Sequence, residues 1–413
     1  MYALALTPGS PILRAAGAAW RPSPDDLLDG VAPAAVISPA SGRSMIGGAP
    51  VAIGDALAVS SGSKRVVGPT GLIETVAADA PALDWSSGRP RLVIEARAAT
   101  NDLLHSGDLS ASAWLKSAGL TLAATVAAPD GTLSARCFEG SAANVYQFAA
   151  TPVGPQAHSI WVRRHVDPSV TVYLWEAGVG FVSTVGLDFT TGALTTQSGP
   201  GGATAVAHAD GWWRVTLPWT STVGSVALGV YSDAGFCAWG AQSEVGNAAS
   251  SYVPTTSAVA TRMSDDVRLS PAVTALVAAA GGCTIAMRGS VHGLDWVLGG
   301  ATGGAILASP GSYRPGDYGE VVTPTGWDAA AWNAFGVVLG CAPTSRSGTC
   351  NGGTPVARSG VSSAWSLASE TSLRLGAATW GEHASSRVFV DEMVIWPFVG
   401  SDAGLEAQAR IWS

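Results

Sequence analysis

The stretch "DGWWRVTLPW", Asp210 to Trp219, decides the fold class. After an Asp-Gly turn pair the residues alternate: Trp213, Val215 and Leu217 share one face, and Trp212, Arg214 and Thr216 share the other. A period of two marks a half-buried strand. Outward from it, "SIWVRR" (Ser159–Arg164), "SVTVYLWEA" (Ser169–Ala177), "SVALGVYS" (Ser225–Ser232) and "FCAWGAQ" (Phe236–Gln242) have the same character. Clusters of Gly, Pro, Asp and Ser separate them. In the second of these, Val170, Val172 and Leu174 alternate with Thr171, Tyr173 and Trp175. The number and spacing of these runs predict an antiparallel sandwich over residues 96–260.

Composition supports the same class. Hydrophobic residues are 47% of the 413, yet charged residues are only 13%, so the Glu, Lys and Arg that helices use on their wet faces are scarce. A mostly β chain of two or three domains follows. The net charge of −8 without any basic run excludes nucleic-acid binding. No signal peptide is read at the start, and "AVTALVAAAGGCTIAM" (Ala272–Met287) is too short to span a bilayer. The expectation is a protein made in the cytoplasm, without membrane insertion. The five cysteines lack C-x-x-C spacing, so no zinc site is implied. Cys341 and Cys350 are able to face each other across a hairpin, or to remain reduced as small hydrophobes.

Residues 1–95 carry short apolar pieces such as "VAIG" and "RVVG" between turn formers. They read either as an extended arm that borrows its order from partners or sister subunits, or as a small irregular β-domain. Residues 261–413 return to strand patterns in "CTIAMRGSV", "TSLRLGAAT" and "SRVFVDEMVIWPF", which predicts a second sandwich. The tail "SDAGLEAQARIWS" reads as a helix capped by Ser401 or Asp402.

Several ordered motifs carry a resemblance. Ile94–Glu95, Thr100–Asn101, "GWWRV" (Gly211–Val215) and "WGAQSEVGNAASSYVPT" (Trp239–Thr255) resemble a jelly-roll module of tailed-phage virion proteins, over roughly residues 60–262. Ser243 stands where that family usually has Leu. "SLRLGAA" followed by "RVFVDEMVIWPF" and a closing helix resembles a concanavalin-like, laminin-G-type sandwich, in which Asp391 and Glu392 take a structural hydrogen-bonding role. The resemblances imply a head or tail fibre or spike subunit on the virion of a tailed bacteriophage or a gene transfer agent. Its arm binds other virion proteins, it forms a homo-oligomer, and its sandwiches meet host capsule or lipopolysaccharide.

Sugar contact requires aromatic faces and planar polar groups. Trp161, Arg163, Tyr173, Trp175, Trp212 and Arg214 offer both, and form one carbohydrate-binding patch if their strands are neighbours. Otherwise they pack under loops or against another subunit. Trp213 and Trp239 are assigned to the core. In the last domain Trp296, Trp327, Trp365 and Trp380, with Arg314, Asp317 and Tyr318, either contact ligand or cap the sandwich ends.

The acidic pairs Asp25–Asp26 and Asp265–Asp266 read as caps and solvated turns, and no G-x-S-x-G or H-E-x-x-H motif occurs. The expectation is adhesion without an enzyme activity. The alternatives are a purely structural decoration and a polysaccharide-degrading spike. No cofactor is expected, and a structural calcium has weak support because Asp-x-Asp loops are missing.

Overall fold

A computed structural model describes residues 27–279, 282–292, 296–300, 305–308, 335–341, 345–350, 353–359, 371–377 and 387–412. Antiparallel strands dominate them, as the sequence predicts.

The jelly roll is two facing sheets of six strands. One contains Gly154–Arg164 between Trp212–Ser221 and Gly235–Val245; the other contains Ser169–Glu176 between Val226–Ser232 and Gly180–Asp188. The alternation read from sequence is the one observed. Val215 and Leu217 enter the core between the sheets with Val170, Val172 and Leu174, and Trp213 packs against its edge. Trp239 is also buried, but on the opposite face of its sheet, in a separate cluster with Trp161, Trp212 and Tyr252.

The motif that closes the jelly roll is built from hydrogen bonds. Asn101 Nδ2 donates to the carbonyls of Ala241 (3.0 Å) and Val253 (2.8 Å), and its Oδ1 accepts from the amides of Leu103 and Ser243. Gln242 Oε1 accepts the Val253 amide. Gly240 adopts φ +68°, and a Cβ there would press into the Trp161 ring, so the W-G-A-Q sequence needs its glycine. The polar run after Val245 thus wraps back under side-chain control. It ends in the strand Ala260–Arg262, which pairs with Ala99–Asn101 at the neck of the domain.

Residues 28–95 differ from the extended-arm reading. Apart from the hairpin of Lys64–Val67 and Ile73–Val76, their short strands complete the C-terminal sandwich. Ala35–Ser38 pairs with Arg387–Trp396 in the register Ile37↔Met393, Arg91–Ile94 pairs with the same strand, and Leu57–Ser60 pairs with Asp266–Leu269. Ile37, Leu57, Leu92 and Ile94 enter one core with Val267, Ile285, Leu375 and Ile395. On the other face Val36 and Met45 pack with Leu405 and Ala409 of the closing helix. Pieces too short to form a sheet alone pair with distant strands and pack into cores shared with them, so the order is borrowed from within the chain. Residues 1–26 of the expected arm, Asp25–Asp26 included, lie outside the described residues. The jelly roll is therefore an excursion between two parts of one sandwich.

The neck holds a buried ionic cluster. Glu95 is fully buried, lies 3.3 Å from Arg262 Nε and 3.4 Å from Arg387 Nε, and accepts from Ser251 N and Oγ. Asp265 pairs with Lys64 and accepts the Glu95 amide at 2.7 Å. Asp265 is thus a buried ion-pair partner rather than a solvated turn residue, because Lys64, 201 positions away, folds against it.

Cys137 and Cys237 face each other across adjacent strands and form a disulfide. Cys341 and Cys350 are not opposed: in that hairpin Cys341 pairs with Arg346 and Val337 with Cys350. Asp391 keeps a structural role, receiving Arg89 Nη2 at 2.7 Å. No helix among the described residues is long and apolar enough to cross a membrane.

The closing helix Asp402–Trp412 is capped by Ser401, whose Oγ accepts the Gly404 amide at 3.1 Å and donates to Asp29 Oδ1. Ser401→Ala is expected to cost about 1 kcal/mol, read as a lower thermal midpoint. An unchanged midpoint would show that Asp29 alone orders this terminus.

Candidate functional site: an aromatic row and a junction cavity

The six side chains singled out in the sequence do not form one patch. Trp161, Arg163, Trp212 and Arg214 lie on neighbouring strands of one sheet, while Tyr173 and Trp175 lie in the sheet that faces it. Alternation reports the face of a strand, and it carries no information on which sheet receives the strand.

On the first sheet the aromatic rings are covered. Trp161 and Trp212 are each 1% exposed, and Trp212 Nε1 donates to the Ala127 carbonyl. Arg163 stacks its guanidinium 5.2 Å from the Trp212 ring. The cover comes from the hairpin Lys64–Val76 and from the wrapped segment that contains Tyr252. The sequence does not signal it, since short apolar pieces such as Val66–Val67 and Leu72–Ile73 do not record which sheet they will cover.

The facing sheet is open on its outer side. Phe148, Ala227, Trp175 and Phe181 occupy one register row across four strands, with Tyr146, Gly229 and Tyr173 in the row beside it. Phe148 meets Trp175 edge to face at 5.5 Å, and Tyr173 meets Phe181 at 5.2 Å. A Cβ on Gly229 would overlap the Tyr173 ring; the glycine lets that ring lie across the strand, where its OH donates to Asn144 Oδ1. Tyr173 is buried, Trp175 half-buried, but Phe148 is 39% and Phe181 66% exposed. Tyr146 and Phe148 stand in one run and Phe181 in another, and they were missed in the sequence because only register aligns them with Trp175 and Tyr173.

A cavity of about 740 Å³ opens between the covered sheet and the sandwich. Arg65, Arg91, Arg214 and Arg387 line it with a single acid, Asp84, beside Trp161, His208, Tyr252 and Phe389. Asp84 accepts the amides of Val67 and Ser86 and lies 3.7 Å from Arg387 Nη2. Arg65 pairs with Asp130 at 3.2 Å, Arg387 with Glu95, and Arg91 lies 3.9 Å from Asp391. Arg214 differs. It is 9% exposed, donates to Ser159 Oγ at 2.9 Å, stacks 4.4 Å from the Trp161 ring, and makes no ion pair among the described residues. Burial and the nearby Arg387 lower its pKa to about 10. Burial, with Arg214 beside it, lowers His208 to about 4, so the imidazole is neutral at pH 7.

Cys137, His165 and Cys237 also cluster, but the two sulfurs are joined to each other. Trp327, Trp365, Trp380, Arg314, Asp317 and Tyr318 lie outside the described residues, as does the side chain of Trp296.

No family model and no curated protein matches the chain. Among solved structures, a mutant Trypanosoma rangeli sialidase displaying trans-sialidase activity is 19% identical, over 31% of this chain and 22% of that one, with a TM-score of 0.25. Trypanosoma rangeli sialidase is 13% identical, over 66% and 60%, at 0.27. The enzymatically active domain of bacteriophage CBA120 tailspike protein 4 is 13% identical, over 35% and 21%, at 0.24. The chain thus spans less than two thirds of each. The expectation that it is not an enzyme is corrected by these matches, which are all to enzymes. Its support was the lack of sequence motifs, and tertiary structure assembles paired carboxylates without one. At these TM-scores the matches assign no catalytic residue here.

Proposed function

We propose that the chain is a fibre or spike subunit on the surface of a tailed phage or phage-like particle, and that its jelly roll contacts polysaccharide on the host. The observation that carries this reading is the aromatic row Phe148–Trp175–Phe181 on the outer side of a sheet, with Phe181 two-thirds exposed. Aromatic faces stack on the apolar side of sugar rings, and a purely structural decoration gives no reason to keep such rings in water. The motifs of residues 60–262 that resemble virion modules support the virion setting. Attachment to other virion proteins falls to the N-terminal segment. Several copies act together, since single-sugar affinities near ~1 mM correspond to only about 4 kcal/mol and gain from avidity.

Binding of the purified chain to intact host cells, and to their extracted capsule or lipopolysaccharide, tests this. A Trp175→Ala, Phe181→Ala double variant is expected to lose roughly tenfold in affinity, about 0.5–1.5 kcal/mol for each stacked ring. Full binding by the folded double variant would remove the row from the contact surface. Absence of binding by the wild-type chain would favour decoration.

A further inference from the structure

We propose that the junction cavity is a second ligand site, which takes an acidic sugar unit bearing a carboxylate or a sulfate, with Arg214 as its anchor. That the cavity takes an anion stands on the cavity alone; that the anion belongs to a sugar rests on the polysaccharide reading above.

The charge balance is the first argument. Four arginines and one aspartate line the cavity, and the aspartate is held by backbone amides and lies 3.7 Å from Arg387 Nη2, which leaves Arg214 outside its reach. Three of the arginines lean on carboxylates of the neck, the sandwich or, for Arg65, a jelly-roll turn. Arg214 has no such partner among the described residues, only the Ser159 hydroxyl and the Trp161 ring. Glu244, Glu95 and Asp84 act on it only from a distance, and a guanidinium withdrawn from water with no carboxylate in contact carries a cost that a bound anion offsets.

The second argument is shape. Arg91 and Arg387 hold their guanidiniums 4.0 and 4.6 Å from the Phe389 ring, on the sandwich wall of the same cavity. A planar or tetrahedral oxyanion matches the donor fork of guanidinium, which holds two oxygens at once. Beside the anchor, Trp161 Nε1 and His208 Nδ1 are buried without hydrogen-bond partners. The neutral His208 adds no charge that would favour one anion over another. A volume of about 740 Å³ admits a sugar unit rather than an ion alone.

The third argument is contrast. The whole chain carries a net charge of −8, so it repels polyanions except where a local site overcomes that charge.

Calorimetric titration of the purified full chain tests the proposal with four polymers: polygalacturonate, its carboxyl-reduced form, dextran sulfate and unmodified dextran. The expected result is binding of polygalacturonate, dextran sulfate or both, with none of the two neutral polymers. Arg214→Met is expected to weaken that binding at least tenfold. Arg91→Met, on the opposite wall and away from the jelly-roll sheets, is expected to weaken it severalfold and keeps the test open if the first variant does not fold. Preference between the two acidic polymers identifies the anion. The proposal is overturned if neither acidic polymer binds, if the neutral forms bind equally well, or if both folded variants bind as wild type. The Trp175→Ala, Phe181→Ala variant separates the two readings: it is expected to retain acid-dependent binding. Host polysaccharide that fails to bind defeats the glycan reading, while the defined polymers still decide the cavity.

Discussion

Replacing Glu95 with Gln is expected to destabilise the folded chain by about 3–5 kcal/mol, the usual effect of removing one partner from a buried ion pair. The carboxylate is fully buried at the neck between jelly roll and sandwich, where it faces Arg262 and Arg387 and receives two hydrogen bonds from Ser251. Glutamine keeps the shape and removes the charge, which leaves two poorly hydrated arginines against a neutral amide. The same residue sets a pH dependence. Burial alone would raise its pKa, but Arg262, Arg387 and Lys64 outweigh that and hold it at about 2, against an ordinary 4.5. A depressed folded value means that the contribution is complete above the unfolded pKa and is lost as pH falls from about 4.5 towards 2, on the order of 3 kcal/mol in all. Urea midpoints at pH 7 and pH 3 check both statements. The variant should unfold at much lower urea at pH 7, and its midpoint should change less between the two pH values than that of wild type. Equal midpoints at pH 7 would show that the neck is not held by this charge.

Asn101→Ala is expected to cost about 3–4 kcal/mol. The side chain satisfies four backbone groups, two carbonyls through Nδ2 and two amides through Oδ1, and all four bonds are buried. Each orphaned buried group costs about 1–3 kcal/mol, discounted where water reaches the space left behind. Because the carbonyl of Val253 and the amide of Ser243 are among them, the wrapped segment Gly246–Thr255 should loosen first. Limited proteolysis is expected to cut there in the variant at denaturant concentrations that leave wild type intact. A variant with wild-type stability and no new cleavage would mean that backbone pairing between Ala99–Asn101 and Ala260–Arg262 suffices to close the domain.

Both residues belong to motifs visible in the sequence, but their roles are visible only in the fold. Glu95 and Asn101 were noted as the acidic and amide members of a recurrent pattern; their partners lie 142 to 292 positions later, at Ser243, Val253, Arg262 and Arg387. Local pattern was informative wherever one strand decides the answer. Val170, Val172 and Leu174 point inward because a pleated strand alternates its side chains, and Ser401 caps its helix because a hydroxyl one position ahead reaches the N3 amide. The candidate site was half legible by the same logic. The faces of Trp175 and Arg214 were readable, but the six chosen side chains divide between two sheets.

By itself, then, the sequence determined the mostly β character, the strand faces of the jelly roll and the closing helix, because these follow from backbone geometry over a few residues. Only the tertiary structure decided that Ala35–Ser38, Leu57–Ser60 and Arg91–Ile94 complete the C-terminal sandwich, that Cys137 meets Cys237, and that Arg214 faces a cavity rather than solvent. Those outcomes depend on which apolar faces find each other across hundreds of residues. The free energy of that burial belongs to the whole chain, and no single stretch of it records the choice.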